Sequence, residues 1–174
     1  IVSLILWNYF SLKFKNNFNK NLNYFLPLTF LLLIYFQIII GAFVSGMDAG
    51  QIYNSWPLMG SNFYPDDNIY LNLFKISAFS DPSLVQFMHR NLAYLILFFY
   101  LILLIKVYSN KITNLYFAIN VLGVILFIQI LLGILTLLNG AQILLASMHQ
   151  ISSIFLVSSS IYFLYLNFNQ QPSS

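Results

Sequence analysis

No cysteine occurs in this chain, so disulfides, thiolate catalysis and cysteine-ligated metals are excluded within it. Glutamate is absent as well, and the acidic complement is Asp48, Asp66, Asp67 and Asp81. Charged residues make up only 6% of the sequence, where a soluble domain carries about a quarter. With 60% of residues hydrophobic, the chain cannot cover itself in water-compatible side chains, and its solvent is a bilayer. The formal net charge of +3 does not point to nucleic acid, because the basic residues form no patch interleaved with stacking aromatics.

What the sequence does have is long apolar runs. A helix needs about 20 residues to cross the hydrocarbon core, and four runs reach that length, near 24–45, 84–107, 115–138 and 143–166. Residues 1–10 read as the end of a preceding transmembrane helix. They lack the basic start and cleavage site of a signal peptide, and the chain therefore reads as a fragment without its N-terminus. The expected fold is all-α, a polytopic transmembrane four-helix bundle over 24–166 plus that helix tail. Lys13, Lys15 and Lys20 fall in the connection 11–23, and Lys106 and Lys111 flank the third connection. By the positive-inside rule these mark the cytoplasmic, or matrix, side. The connection 46–83, which holds all four aspartates, and the turn at Asn139-Gly140 then face outward, and the tail 167–174 ends inside.

A repeat runs through the apolar segments. Gln37-Ile-Ile-Ile-Gly41 in the first is matched by Gln129-Ile-Leu-Leu-Gly133 in the third, and the helix after each carries Met-His, Met88-His89 and Met148-His149. His89 and His149 lie five or six residues into helices that both run from outside to inside. At 1.5 Å per residue that is a depth of about 8–9 Å. Either histidine alone is most simply a buried residue packing two helices. As the only two histidines, at matched depth, they point instead to axial ligation of a haem, whose porphyrin supplies the other four nitrogens. Zinc fits less well, because no third or fourth ligand lies at that level. Ala93, Ser152 and Ser153 stand one helical turn from the histidines, and Gly41 and Gly133 would allow close approach of the ring or a neighbouring helix.

Four further residues are candidate cofactor contacts. Arg90, costly in a bilayer unless paired, would bind a haem propionate or else snorkel to the outer headgroups. Gln86, on the same helical face as His89, would reach a propionate or bridge helices. Gln37 and Gln129 read as interhelical hydrogen-bonding residues or ligand contacts. The outer loop carries Tyr53, Asn54, Trp56 and Pro57, as interfacial anchors or as a cover over the haem edge.

At these residues the chain resembles the haem A synthase family. The matching segments are Gly41-Ala-Phe-Val-Ser-Gly-Met-Asp-Ala-Gly50 with Tyr53-Asn-Ser-Trp-Pro-Leu-Met59, then Val85-Gln-Phe-Met-His-Arg90, Gln129 to Leu138, and Met148-His-Gln150. They cover most of residues 37–150, in a form similar to alphaproteobacterial and mitochondrial members. The resemblance implies the C-terminal half of an eight-helix enzyme that oxidises the C8 methyl of haem O to a formyl group, making haem A for terminal oxidases. It implies a b-type haem held by His89 and His149, with haem O bound mainly by the missing half. That half's Glu-x-x-His motif supplies the catalytic carboxylate; Gln86 stands at the corresponding position here, so no catalytic residue is expected in this fragment. A bacterial inner membrane is implied, with a mitochondrial inner membrane as the alternative. Candidate partners are haem O synthase, an electron-transfer protein and a second copy of the chain. A bis-histidine electron-transfer cytochrome and a haem-free transporter or scaffold half stay open as other readings of the same residues.

Overall fold

The computed structural model describes residues 2–13 and 22–168; the expected connection 11–23, with Lys15 and Lys20, and the tail 167–174 lie largely outside them. Five α-helices follow in order: α1 (Val2–Lys13), α2 (Phe25–Gly46), α3 (Pro82–Ser109), α4 (Tyr116–Leu138) and α5 (Ile143–Phe168). There is no strand among the described residues, and α2 to α5 are each long and apolar enough to cross a membrane.

The helix ends follow local chemistry rather than hydropathy. α3 begins two residues before its apolar run, because Asp81 caps it by accepting from the Leu84 backbone N–H at 3.1 Å and Pro82 occupies the first turn. α4 ends in a Schellman pattern, Ala141 N–H to Thr136 O and Gly140 N–H to Leu137 O, with Gly140 at φ 64°. α3 ends in the same pattern, but there Lys111 takes the left-handed position at φ 53°.

Helices α2 and α3 form one antiparallel hairpin, α4 and α5 the other. α2 packs on α5 and α3 on α4, closing a four-helix ring, while α1 lies against α5. Trp7 meets Tyr165 at 5.4 Å between ring centroids, and Phe10 meets Tyr162 at 5.2 Å. The close-packed core occupies the inner half, the end that carries Lys106 and Lys111. Phe30, Ile34, Leu103, Leu122, Ile161 and Tyr165 are representative. Gly123 is required there: a Cβ would lie 1.9 Å from the Tyr100 hydroxyl, which donates to the Ile119 carbonyl at 3.3 Å. Asn167, expected to open the tail, is instead a buried residue of α5. Its side-chain amide pairs with the N–H and C=O of Leu22 at 2.7 and 3.1 Å, satisfying backbone just before α2 and holding it to the end of α5.

The outer half is packed differently. Between residues 127 and 155, covering the outer parts of α4 and α5, no side chain is fully buried. Over this end folds the long α2–α3 connection, which contains the short 3₁₀ turns Ala49–Gln51, Tyr70–Phe74 and Ile76–Ser80. Its first part crosses the bundle: the Asn54 amide donates to Leu137 O of α4 at 2.9 Å, and Gly50 lies against Ala141 in the α4–α5 turn. Carboxylates organise the rest. Hydrogen bonds from the Asn62 side chain and from Ser61 hold the Asp66 carboxyl below its ordinary pKa. Burial pushes the Asp67 carboxyl up, but bonds from Ser83, Tyr53 and Asn68 outweigh it and leave this group lowered as well.

Candidate functional site

His89 lies seven residues into α3 and His149 six into α5, about 9–10 Å from the outer helix ends. The two imidazoles face into the ring of helices from adjacent hairpins. Their centroids are 6.5 Å apart, with the ring planes at 80°.

Each histidine is held by the glutamine and glycine of its own repeat. Gln37 Nε2 donates to the His89 carbonyl at 3.0 Å, and Gln129 Nε2 to the His149 carbonyl at 3.1 Å. These carbonyls already serve the helix ladder, and the amides take their second lone pair. Gly41 and Gly133 supply the space for the rings. A Cβ on either would lie 3.0 Å from Cε1 of the adjacent imidazole, tighter than side chains normally pack. The sequence repeat is thus a repeat of contacts. Around one ring it is tighter. His149 Nδ1 lies 3.1 Å from the Gln129 carbonyl, to which it donates in the Nδ1–H tautomer, and Gln129 Nε2 stands 3.3 Å from Nδ1 and 3.5 Å from Nε2. Gln37 Nε2 approaches His89 Nε2 at 3.3 Å, while His89 Nδ1 is buried without a hydrogen-bond partner. Ser152 adds a further restraint on the second hairpin, its one hydroxyl proton shared between Gln129 Oε1 and the His149 carbonyl. Ser153 turns away to the Gln150 carbonyl of its own helix.

Arg90 takes up a position the sequence did not suggest. It does not snorkel: the residue is only 9% exposed. Its guanidinium donates to three backbone carbonyls of the outer loop, Tyr53 at 2.7 Å, Ser55 at 2.9 Å and Leu58 at 3.2 Å. Gln86 joins it on Tyr53 O at 3.1 Å. The loop therefore meets α3 at the turn of Gln86, outward of His89, and its carbonyls there are satisfied by Arg90 and Gln86, as non-helical backbone in an apolar setting requires. No motif announces a backbone acceptor, so the sequence held no signal for these three partners. Arg90 Nε, Gln86 Oε1, Gln37 Oε1, the Tyr94 hydroxyl and His89 Nδ1 are buried without a hydrogen-bond partner. Unmet polar atoms of this kind mark places where water or a polar ligand belongs.

The COX15-CtaA family model, described as a cytochrome oxidase assembly protein, matches residues 1–161. A heme A synthase of Pelagibacter ubique (strain HTCC1062) is 45% identical over 170 residues, covering 97% of this chain and 50% of that protein. Heme A synthases of Wolbachia pipientis wMel and Rickettsia bellii (strain OSU 85-389) are 37% and 43% identical, covering 94% and 82% of this chain and 48% and 44% of theirs. The chain spans about half the length of the curated relatives it matches. No solved structure matches it. Because the family match runs through both hairpins and both histidines, the chain belongs to the COX15-CtaA family of cytochrome oxidase assembly proteins.

Proposed function

We propose that His89 and His149 are the axial ligands of a b-type haem, and that this chain is the haem b-binding half of a haem A synthase of a bacterial inner membrane. The observation that carries the reading is the spacing of the two rings inside their duplicated frame. Two imidazoles that flank one metal stand about 2 Å from it through nitrogen. With about 1 Å more from nitrogen to ring centre on each side, the centroids come to about 6 Å apart, against 6.5 Å here. The remaining features fit a planar guest: glycines where a Cβ would strike the rings, an outer half without fully buried side chains on α4 and α5, and buried polar atoms without partners on α2 and α3.

The residues divide the work. Gln129, braced by Ser152, holds the His149 imidazole, whose Nε2 would ligate in the Nδ1–H tautomer, and Gln37 positions His89 through its backbone. Arg90 and Gln86 keep the outer loop over the site, which excludes water, while Arg90 Nε is left to meet a propionate. A haem held by His89 and His149 would supply one-electron transfer. Oxidation of the haem O methyl to a formyl group is assigned to the half of the relatives that lies outside this chain.

An absorbance spectrum of the purified chain tests the reading. The expected result is a six-coordinate low-spin haem whose signature is lost or becomes five-coordinate in both His89→Ala and His149→Ala. The double variant should resemble either single one, because one coordination unit is broken each time. Normal haem binding in His149→Ala would overturn the assignment.

A further inference from the structure

The outer loop has two faces of opposite character. Its first part, residues 48–68, is tied down by Arg90, Asn54 and the aspartates. Its second part, residues 69–80, carries no acid and one lysine, and turns its large apolar side chains away from the protein. Tyr70 is 70% exposed, Leu71 72%, Phe74 85% and Ile76 92%. Few surfaces on a folded chain leave so many large apolar groups uncovered over so short a span.

The segment is not loose. Ala78 is buried against Tyr64 and Leu84, the Tyr64 ring packs tilted on Tyr70 at 4.2 Å between centroids, and the Tyr64 hydroxyl donates to the Ile69 carbonyl at 2.9 Å. The backbone is fixed with its apolar side outward. Two relations say what covers it. Along the chain, the segment runs directly into Asp81 and Pro82, the capped outer end of a membrane-spanning helix, so it lies at the height of the bilayer boundary. In space, Phe79 meets Phe43 of α2 at 6.2 Å between centroids. The exposed apolar surface is thereby continuous with the outward side of α2, where Ile39 and Phe43 are themselves exposed.

We propose that residues 69–80 lie in the outer interface of the bilayer, with Tyr70, Leu71, Phe74 and Ile76 inserted at the boundary between headgroups and acyl chains. Tyrosine and phenylalanine are suited to that depth, and Lys75, exposed and donating to Asn72 at 2.9 Å, faces the headgroups. The segment then works as a float. It fixes the height of the loop, and so of the cap held by Arg90, relative to the membrane. This inference does not depend on the haem assignment.

The absence of cysteine makes the test direct. Leu71→Cys, Phe74→Cys and Ile76→Cys are each labelled with a polarity-sensitive fluorophore in the full chain, reconstituted in vesicles of phosphatidylcholine and phosphatidylglycerol. Gln51→Cys on the exposed cap and Val124→Cys, exposed on the lipid-facing side of α4 nearer its inner end, serve as references. The expected result is severalfold stronger quenching by shallow spin-labelled lipid, and severalfold weaker quenching by aqueous iodide, than at Gln51→Cys. Iodide quenching equal to that at Gln51→Cys would overturn the proposal by placing the segment in water. Protection from both quenchers would overturn it in favour of a protein cover.

Discussion

The two hairpins share two contacts and differ in almost everything around them. In each, a glutamine amide binds the carbonyl of a histidine and a glycine clears space beside the imidazole. Beyond that, α2 and α3 are joined by a long folded connection, α4 and α5 by a turn at Asn139–Gln142. The residue after the histidine is Arg90 in the first hairpin and Gln150 in the second; three residues before it stand Gln86 and Ala146. Arg90 and Gln86 are buried and bound to loop carbonyls, whereas Gln150 is exposed. The contrast shows what keeps a charge at this depth. Irregular backbone in an apolar setting has carbonyls that the helix ladder cannot satisfy, and the first hairpin supplies a cation where its loop descends. The second hairpin has no loop to hold, and a neutral side chain suffices.

Giving the first hairpin the second one's residue breaks the comparison most sharply. Arg90→Gln removes charge-assisted bonds to three carbonyls, and a loss of about 3 kcal/mol is expected in the outer loop. Hydrogen exchange across residues 48–60 should accelerate while residues 115–126 keep their protection. Unchanged exchange would mean that the loop does not depend on this cation. Next in size are Gly41→Ala and Gly133→Ala. Each places a methyl 3.0 Å from an imidazole carbon, and each should cost about 1–3 kcal/mol with a matching fall in haem retention. A large effect in one hairpin and none in the other would show that the repeat of contacts is not a repeat of function.

Asn54→Ala releases the cap from α4 while leaving Arg90 in place. Here the expected change is about 1 kcal/mol, read as faster proteolysis near residues 50–56 with the haem spectrum unaltered. The smallest effect is in acid. Asp67 has a folded-state pKa below its ordinary 3.8, so its contribution is complete above that value and is lost as the pH falls through the lower folded-state pKa. Loop protection should be flat from neutral pH down to the ordinary value and decline below it. The short α4–α5 turn, which holds no carboxylate, should not respond.

Much of this was legible in advance because bilayer burial is written in composition. Four apolar runs of sufficient length, with every lysine but Lys75 at one end, define a four-span helical bundle whatever the details of packing, since only hydrogen-bonded helices or closed barrels satisfy backbone in lipid. The Gln-x-x-x-Gly and Met-His pairs were visible for a related reason: polar residues are rare in such runs, and their spacing stands out. Arg90 shows the limit. Its type and position announced a partner, but the partners are main-chain oxygens, which every residue carries. The same holds for Asn167, which hydropathy placed in a tail and which instead completes the backbone pairing of Leu22.

The sequence by itself determined the solvent, the number of spans, the depth of the two histidines and the family, because each depends on residue type and on spacing along a helix of fixed rise. Only the tertiary structure decided that the imidazoles meet, that one ring is locked by a backbone carbonyl and the other is not, and that the outer loop folds down onto Arg90. Those outcomes depend on which helix faces which and on where irregular backbone finds its hydrogen-bond donors, and neither is encoded in any single segment.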